Sequence, residues 1–409
     1  MEGLNTKIDN QDLLRSSIEA IPREAVARAL LWLRGNAPYP YPTSIHLDLT
    51  LRCTARCLHC LQWTWPSHTE LEVWQLENMF RIFKSWGVKT ITFGGGNPLL
   101  YDHICLALQL ARQADMQVGI ISEGIEMPDD LADAISKYAS WIRFSLDGPN
   151  SNVHDKIRNK PGLFDCVMQC ITKLQTRKGQ LLIGLNCIIQ KGNLNFLPQM
   201  INLAERISVD ILLFKLAHGE DLGGCFLPSW EEWRQVSEWI NSAATKGEIH
   251  VVTNLNELSN LLGGMFRDED VVQGRPVSSF YLQEQIRCFT PLFFLTCDSE
   301  GNMYPCDYLQ ADTRAWGGKY DAMRHQFSLG NILENDLQVL ENLNVMLRNR
   351  IHTLPASGYS ECGCCTRFCQ FNASLTRIDR ELQSKDINGQ TLTQYFDRPY
   401  AKTSESNFL

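Results

Sequence analysis

Strand-like and helical segments alternate six times between Ser44 and Ala244, and this repetition limits the fold more than any other feature of the chain. Ser44 to Leu51, Val88 to Phe93, Gln117 to Ile121, Trp141 to Leu146, Leu181 to Ile189 and Asp210 to Leu216 read as strands. Glu70 to Ser85 and stretches near 102–114, 129–138, 163–178, 195–206 and 230–244 read as helices, the first with Leu71, Trp74, Met79, Ile82 and Phe83 towards one side. A repeated strand–helix unit gives a parallel sheet with helices outside it. Six units predict an α/β fold, an incomplete (βα)6 barrel, and ligands in such a layout collect at the carboxyl ends of the strands.

The flanking sequence divides the rest of the chain. Residues 1–43 read as a helical extension, stopped by the prolines of Asn36-Ala37-Pro38-Tyr39-Pro40-Tyr41-Pro42. The TIM-like partial barrel is expected over 44–255. A linker is placed at 256–280, where Leu262-Gly263-Gly264 and the acidic Asp268-Glu269-Asp270 precede Gly274-Arg275-Pro276. A cysteine-rich domain follows at 281–375, then a polar tail at 376–409. A formal charge of −8 supplies no basic stripe for a phosphate backbone, so nucleic acid is not an expected partner. No apolar run approaches the ~18 residues of a membrane span, and Met1-Glu2-Gly3-Leu4-Asn5 does not open a signal peptide, so a cytoplasmic protein is expected.

Fifteen cysteines in such a compartment call for metal or cluster binding more than for a disulfide framework. They bunch in two places, while Cys105, Cys166, Cys170, Cys187 and Cys225 lie apart and read as small buried hydrophobes. The first bunch is Cys53-Thr54-Ala55-Arg56-Cys57-Leu58-His59-Cys60, directly after the first strand. Three thiols leave a metal site one ligand short. A structural zinc is closed by four protein ligands, whereas a reactive metal keeps a position open. Three thiolates on a four-iron four-sulfur cluster would leave one iron free for a small molecule.

Further motifs follow at successive strand ends. Thr92-Phe93-Gly94-Gly95-Gly96-Asn97-Pro98 closes the second strand, and its glycines permit close backbone approach to a ligand. Ser122-Glu123-Gly124 closes the third strand. Phe144-Ser145-Leu146-Asp147-Gly148-Pro149 closes the fourth and leads into His154-Asp155-Lys156-Ile157-Arg158. In this order the motifs resemble those of the radical S-adenosylmethionine enzymes, over roughly residues 44–370. The resemblance implies a 4Fe-4S cluster on Cys53, Cys57 and Cys60, with His59 in the ring-bearing position before the last cysteine. It also implies S-adenosylmethionine contacts from Gly94, Gly95, Gly96 and Asn97 to the methionine amino group, and from Ser122, Glu123, Ser145 and Asp147 around the ribose end. Asn97 departs from the acid that the family commonly carries before the proline, which removes an ionic role for that side chain.

The second bunch resembles a SPASM or twitch domain. Arg287-Cys288 and Thr296-Cys297-Asp298-Ser299-Glu300-Gly301-Asn302-Met303-Tyr304-Pro305-Cys306 form its opening half, a hairpin centred on the glycine. Cys362-Gly363-Cys364-Cys365-Thr366-Arg367-Phe368-Cys369 forms the second half. Seven cysteines between 288 and 369 exceed the four that one cluster needs. The resemblance implies one auxiliary iron–sulfur cluster, with a second only if a ligand other than cysteine completes it. A structural zinc on Cys362, Cys365, Cys369 and a hairpin thiol is the competing reading.

By that resemblance, reduction of S-adenosylmethionine yields a 5′-deoxyadenosyl radical that removes a C–H hydrogen from a substrate over the strand ends. The expected substrate is a ribosomally made precursor peptide that acquires a crosslink, epimer or backbone change. About 40 residues precede the first strand, fewer than a small domain needs, so either a separate leader-binding protein or direct recognition is expected. An external electron donor of flavodoxin or ferredoxin type is implied. Cys225, in a loop after the sixth strand, is a candidate hydrogen-atom donor. Asp307, Tyr308, Lys215, His218 and Glu220 are too many to single out an acid or base. The alternatives are a dehydrogenase or epimerase of a small molecule such as an aminocyclitol, sulfatase maturation, and a non-catalytic iron–sulfur or zinc scaffold that binds a peptide.

Overall fold

The structure, a computed structural model, describes residues 37–57, 59–60, 69–216, 250–253, 290–306 and 327–352, with a few positions near 30 and 235 and Gln310. Seven parallel strands run in chain order: β1 (Ser44–Thr50), β2 (Thr90–Gly95), β3 (Gln117–Ser122), β4 (Trp141–Ser145), β5 (Leu182–Ile189), β6 (Ile211–Leu216) and β7 (His250–Thr253). The helices between them are α1 (Val73–Trp86), α2 (Ile104–Gln113), α3 (Asp129–Tyr138), α4 (Ser151–Arg158), α5 (Leu163–Gln175) and α6 (Leu197–Arg206). The expected α/β barrel-type sheet is present. Six of the strands lie where the sequence pattern puts them.

Four strands enlarge the sheet beyond the six expected, one at the far edge and three beside β1. β7 adds to β6, and β8 (Phe294–Cys297) pairs in parallel with β1, giving one ten-stranded sheet of order β10-β9-β8-β1-β2-β3-β4-β5-β6-β7. The hairpin centred on Gly301 is formed by β8 and β9 (Asn302–Tyr304), and β10 (Gly330–Asn331) continues it. The segment assigned to a separate cysteine-rich domain therefore contributes β8 to the barrel sheet. The linker 256–280, the helix near 230–244 apart from isolated positions, and the tail 376–409 lie outside the described residues.

Alternation along the strands sorts side chains between two faces. On β1, Ile45, Leu47 and Leu49 are fully buried against the helices, while His46, Asp48 and Thr50 point to the barrel interior. The α1 stripe is Leu76, Met79, Phe80, Phe83 and Trp86 at helical spacing, and Trp74 is 63% exposed. Trp74 precedes Leu76 by two residues, about 200° around the helix, which corrects its expected inward placement. A capping box between Glu72 and Gln75 starts α1, and Gly87 in the left-handed region ends it. Outside the barrel, α7 (Asp336–His352) meets the N-terminal segment, where Trp32 Nε1 donates to Asn344 Oδ1 at 2.9 Å. Among the described residues no helix is long and apolar enough to cross a membrane.

Candidate active site at the carboxyl ends of the strands

The three-thiol loop leaves the carboxyl end of β1 and is pinned from several sides. Cys57 is buried against Ala55 and Leu163, and Cys53 and Cys60 pack half-buried on the same group. The end of β2 clasps the start of the loop: Gly96 N donates to Thr50 O at 2.8 Å and Asn97 N to Arg52 O at 2.7 Å. A Cβ on Gly96 would lie 2.6 Å from Leu51 O, so the approach requires glycine. Gly95, at φ +102°, turns the chain there. The Gly96 amide and the Asn97 side chain, both expected around the methionine moiety, are thus engaged within the protein. Asn97 Oδ1 accepts from Ser122 Oγ at 2.8 Å and Leu99 N at 3.3 Å, and its Nδ2 donates to Gly124 O at 3.2 Å. Ser122, expected near the ribose end, gives its hydroxyl proton to Asn97 and accepts from Gly124 N at 2.9 Å, bracing the two strand ends together.

Glu123 reaches the loop itself. Its Oε1 accepts from Thr54 N at 3.0 Å and Thr54 Oγ1 at 2.7 Å, and Lys160 Nζ also donates to that hydroxyl. Glu123 Oε2 is buried and has no hydrogen-bond partner. Burial, reinforced by Glu123, holds the Cys53 thiol well above its ordinary pKa, and burial pushes Cys57 up to about 11 against the pull of Arg158.

Arg158, at the end of α4, connects the loop to the strand-end motif of β4. Its Nε lies 2.6 Å from Asp147 Oδ2, its Nη1 donates to Cys57 Sγ at 3.6 Å, and its carbonyl accepts from Arg56 N at 3.1 Å. Asp147 is fully buried; its Oδ1 accepts from Ile188 N at 2.8 Å and its backbone N donates to His154 Nδ1 at 3.0 Å. Burial works to raise the Asp147 carboxyl, but Arg158 offsets it and leaves the group below the usual range. Asp147, expected near the ribose end, is thus engaged in a buried ion pair with Arg158. His154 accepts at Nδ1, and burial lowers it to about 4. His59 Nδ1 meets Gln190 Nε2 at 3.3 Å, and burial lowers His59 to about 4 as well.

Inside the barrel stands a polar set that sequence reasoning missed. His46 Nε2 lies 3.1 Å from Asp48 Oδ1, and Gln310 Nε2 donates to Asp48 Oδ2 at 2.6 Å. The Arg143 guanidinium lies 4.4 Å from the Trp141 ring centroid. Ser145 pairs in register with Asn186, whose buried Oδ1 has no hydrogen-bond partner. Polar residues at alternate positions of an otherwise apolar strand, as in Ile45-His46-Leu47-Asp48-Leu49, were the available signal.

Among the described residues no three His, Cys, Asp or Glu side chains converge as around a single metal ion. One ion holds its ligands within about 2.3 Å of a common centre, whereas a cluster seats each thiolate on a different iron. Three thiols that do not converge, Cys57 buried and Cys53 and Cys60 half-buried, suit the second case. The unfilled polar atoms of Glu123 and Asn186 at the same strand ends suit an added polar ligand. Cys225, Cys288, Cys362, Cys364, Cys365 and Cys369 lie outside the described residues, as do Asp307, Tyr308, His218 and Glu220. Cys297, expected as a ligand, is fully buried in the main hydrophobic core, in register with Leu47 on the helix-facing side of the sheet. The hairpin sets Cys297 opposite Met303, and Cys306 follows β9 half-buried.

The strand ends of this α/β sheet thus carry a three-thiol loop braced from several sides. Residues 47–188 match the family model of the Radical SAM superfamily. It is similar to the mycofactocin maturase MftC of Mycolicibacterium smegmatis, 24% identical over 205 residues, which cover 49% of this chain and 52% of that protein. The chain thus spans about half the length of that relative. An AdoMet-dependent heme synthase of Oleidesulfovibrio alaskensis is 22% identical over 276 residues, 65% of this chain and 69% of that one. Among solved structures, Streptococcus suis SuiB bound to S-adenosylmethionine superposes with a TM-score of 0.60 at 14% identity, covering 84% of this chain and 75% of SuiB. Native anSMEcpe with bound AdoMet gives 0.56 at 14% identity, over 87% of this chain and 99% of that one. These two likenesses establish the fold.

Proposed function

We propose that this chain binds S-adenosylmethionine at a four-iron cluster held by Cys53, Cys57 and Cys60 and uses it to remove a hydrogen atom from a peptide. The observation that carries the reading is the three-thiol loop itself, presented at the strand ends and braced there by Glu123, Gly96 and Arg158. The chemistry such a cluster supplies when bound is one-electron reductive cleavage of S-adenosylmethionine to a 5′-deoxyadenosyl radical. The protein's own contribution is position. Gly94 to Gly96 keep the strand end free of side chains, Ser145 and Asn186 offer hydrogen bonds from inside the barrel, and buried Leu163 shields the thiols from water.

A peptide substrate is favoured by the company the chain keeps: MftC is a maturase, SuiB has been seen with the precursor peptide SuiA, and anSMEcpe with the Cp18Cys peptide. A leader-binding partner and a flavodoxin- or ferredoxin-type donor belong to the same reading. So does an auxiliary cluster on Cys306 together with Cys288, Cys362, Cys364, Cys365 and Cys369. The heme synthase likeness runs over more of the chain than the maturase likeness and favours a second reading, S-adenosylmethionine-dependent chemistry on a heme precursor.

Anaerobic reconstitution, followed by dithionite and S-adenosylmethionine, tests the first step. The wild type is expected to form 5′-deoxyadenosine, and the Cys53, Cys57, Cys60 triple alanine variant none. An intact, reducible cluster that never cleaves S-adenosylmethionine, with or without peptide or iron coproporphyrin, would point to a scaffold. Which of the two additions raises turnover separates the substrate readings.

A further inference from the structure

The bridge from Asp147 through Arg158 to Cys57 has a geometry that packing alone does not require. Arg158 is 8% exposed and Asp147 fully buried, so the pair sits in a low dielectric, where charges act strongly on their neighbours. The guanidinium is planar and forked. One edge holds Asp147 at 2.6 Å, and an Nη1 hydrogen is left to point at Cys57 Sγ, 3.6 Å away. Asp147 is itself fixed by Ile188 N, and the Arg158 carbonyl holds Arg56 N in the loop. The guanidinium therefore cannot swing away from the sulfur without giving up its ion pair with Asp147, which Ile188 N holds in place.

We propose that Arg158 is a positioning residue that sets the reduction potential of the cluster through its hydrogen bond to Cys57, with Asp147 holding it in place. This rests on the function proposed above. A thiolate gains electron density when the cluster it holds takes up an electron, and an N–H donor directed at that sulfur stabilises the reduced state more than the oxidised one. Hydrogen bonds to sulfur and local charge are the means by which a protein shifts such potentials. Arg158 supplies both. Asp147 lies behind the guanidinium, so the cationic edge faces the sulfur.

The test is a redox titration of the reconstituted protein, following the EPR signal that changes when S-adenosylmethionine is added, so that any auxiliary cluster is set aside. Arg158→Met with its iron complement retained is expected to titrate at a more negative potential than wild type. Arg158→Lys keeps the charge but lacks the fork, so it cannot serve Asp147 and Cys57 together, and its potential should fall between the two. An Arg158→Met protein with full iron and the wild-type potential overturns the proposal. If Arg158→Met takes up no cluster, Arg158→Lys decides, and a wild-type potential there overturns it equally. Wild-type protein that binds no more iron than the triple alanine variant defeats the proposed function and this inference with it. A wild-type cluster whose potential ignores Arg158 defeats only the inference.

Discussion

A single oxygen of Glu123 accepts both the amide and the hydroxyl of Thr54, at 3.0 and 2.7 Å, across 69 residues of chain. The three-thiol loop is thereby tied to the end of β3. Thr54 is exposed, so removing the acceptor hands both donors to water and costs only the net worth of the hydrogen bonds, about 0.5–1.5 kcal/mol. Glu123→Ala is expected to lower the stability of the apoprotein by that amount in urea and to reduce iron bound per chain after reconstitution. Glu123→Gln, which keeps Oε1, should retain most of both. Equal iron content in Glu123→Ala and wild type would show that the tie is dispensable.

His154 accepts the Asp147 amide at Nδ1, so the native state holds the ring neutral, and burial lowers it to about 4 from an ordinary 6.5. Between those values the unfolded chain binds a proton that the folded chain refuses. Stability from this group is present above pH 6.5, declines as pH falls, and is lost by about pH 4. His154→Asn can keep an acceptor near the Nδ1 position and does not titrate. The melting temperature of wild type should therefore fall more steeply than that of the variant over this window. Parallel profiles would exclude the effect.

Gly96→Ala places a methyl group against the Leu51 carbonyl, at 2.6 Å from its oxygen. The backbone there must move, at about 1–3 kcal/mol. Since the Gly96 amide holds Thr50 O, the shift should reach the cysteines, and iron retention is expected to fall more than thermal stability. A variant that melts lower yet binds iron normally would separate clasp from loop.

Cys297 and Cys306 should behave differently although both are hairpin cysteines. Cys297→Ala removes a fully buried core atom and is expected to lower stability while leaving total iron unchanged. Cys306→Ala is expected to lower iron content. Iron and sulfide counts on both variants check this, and iron loss in Cys297→Ala would restore that thiol to the ligand set.

The barrel strands were legible because β1 to β6 are short, largely buried runs rich in apolar residues and bounded by turn residues, a pattern that local sequence carries. The eight-residue α4 was not separated from its flanking turns; it depends on Asn150, whose side chain accepts from Val153 N at 3.2 Å, and on Asn159 in the left-handed region. Pairing of β8 with β1 joins residues about 250 apart, and Phe294-Leu295-Thr296-Cys297 reads as a hairpin arm on its own. The site divides in the same way. Thiol spacing is local and was readable, whereas the contact of Arg158 with Cys57 crosses 101 residues and emerges only when α4 folds back over the loop. Ser122, Asn97 and Asp147 were correctly placed at strand ends, but their partners inside the protein could not be read from position.

Because β8 is the neighbour of β1, the cysteine-rich half of the chain is not a detachable module. Ile45 and Leu47 pair with Phe293's successors on one side and with β2 on the other, and Asp48 takes a hydrogen bond from Gln310. Cutting at 256–280 would strip a flank from the very strand that launches the three-thiol loop. A chimera that grafts a relative's tail onto this barrel keeps that flank only if the junction falls after Cys297. Exchange of the tail upstream of that point is, in effect, a redesign of the strand beneath the cluster.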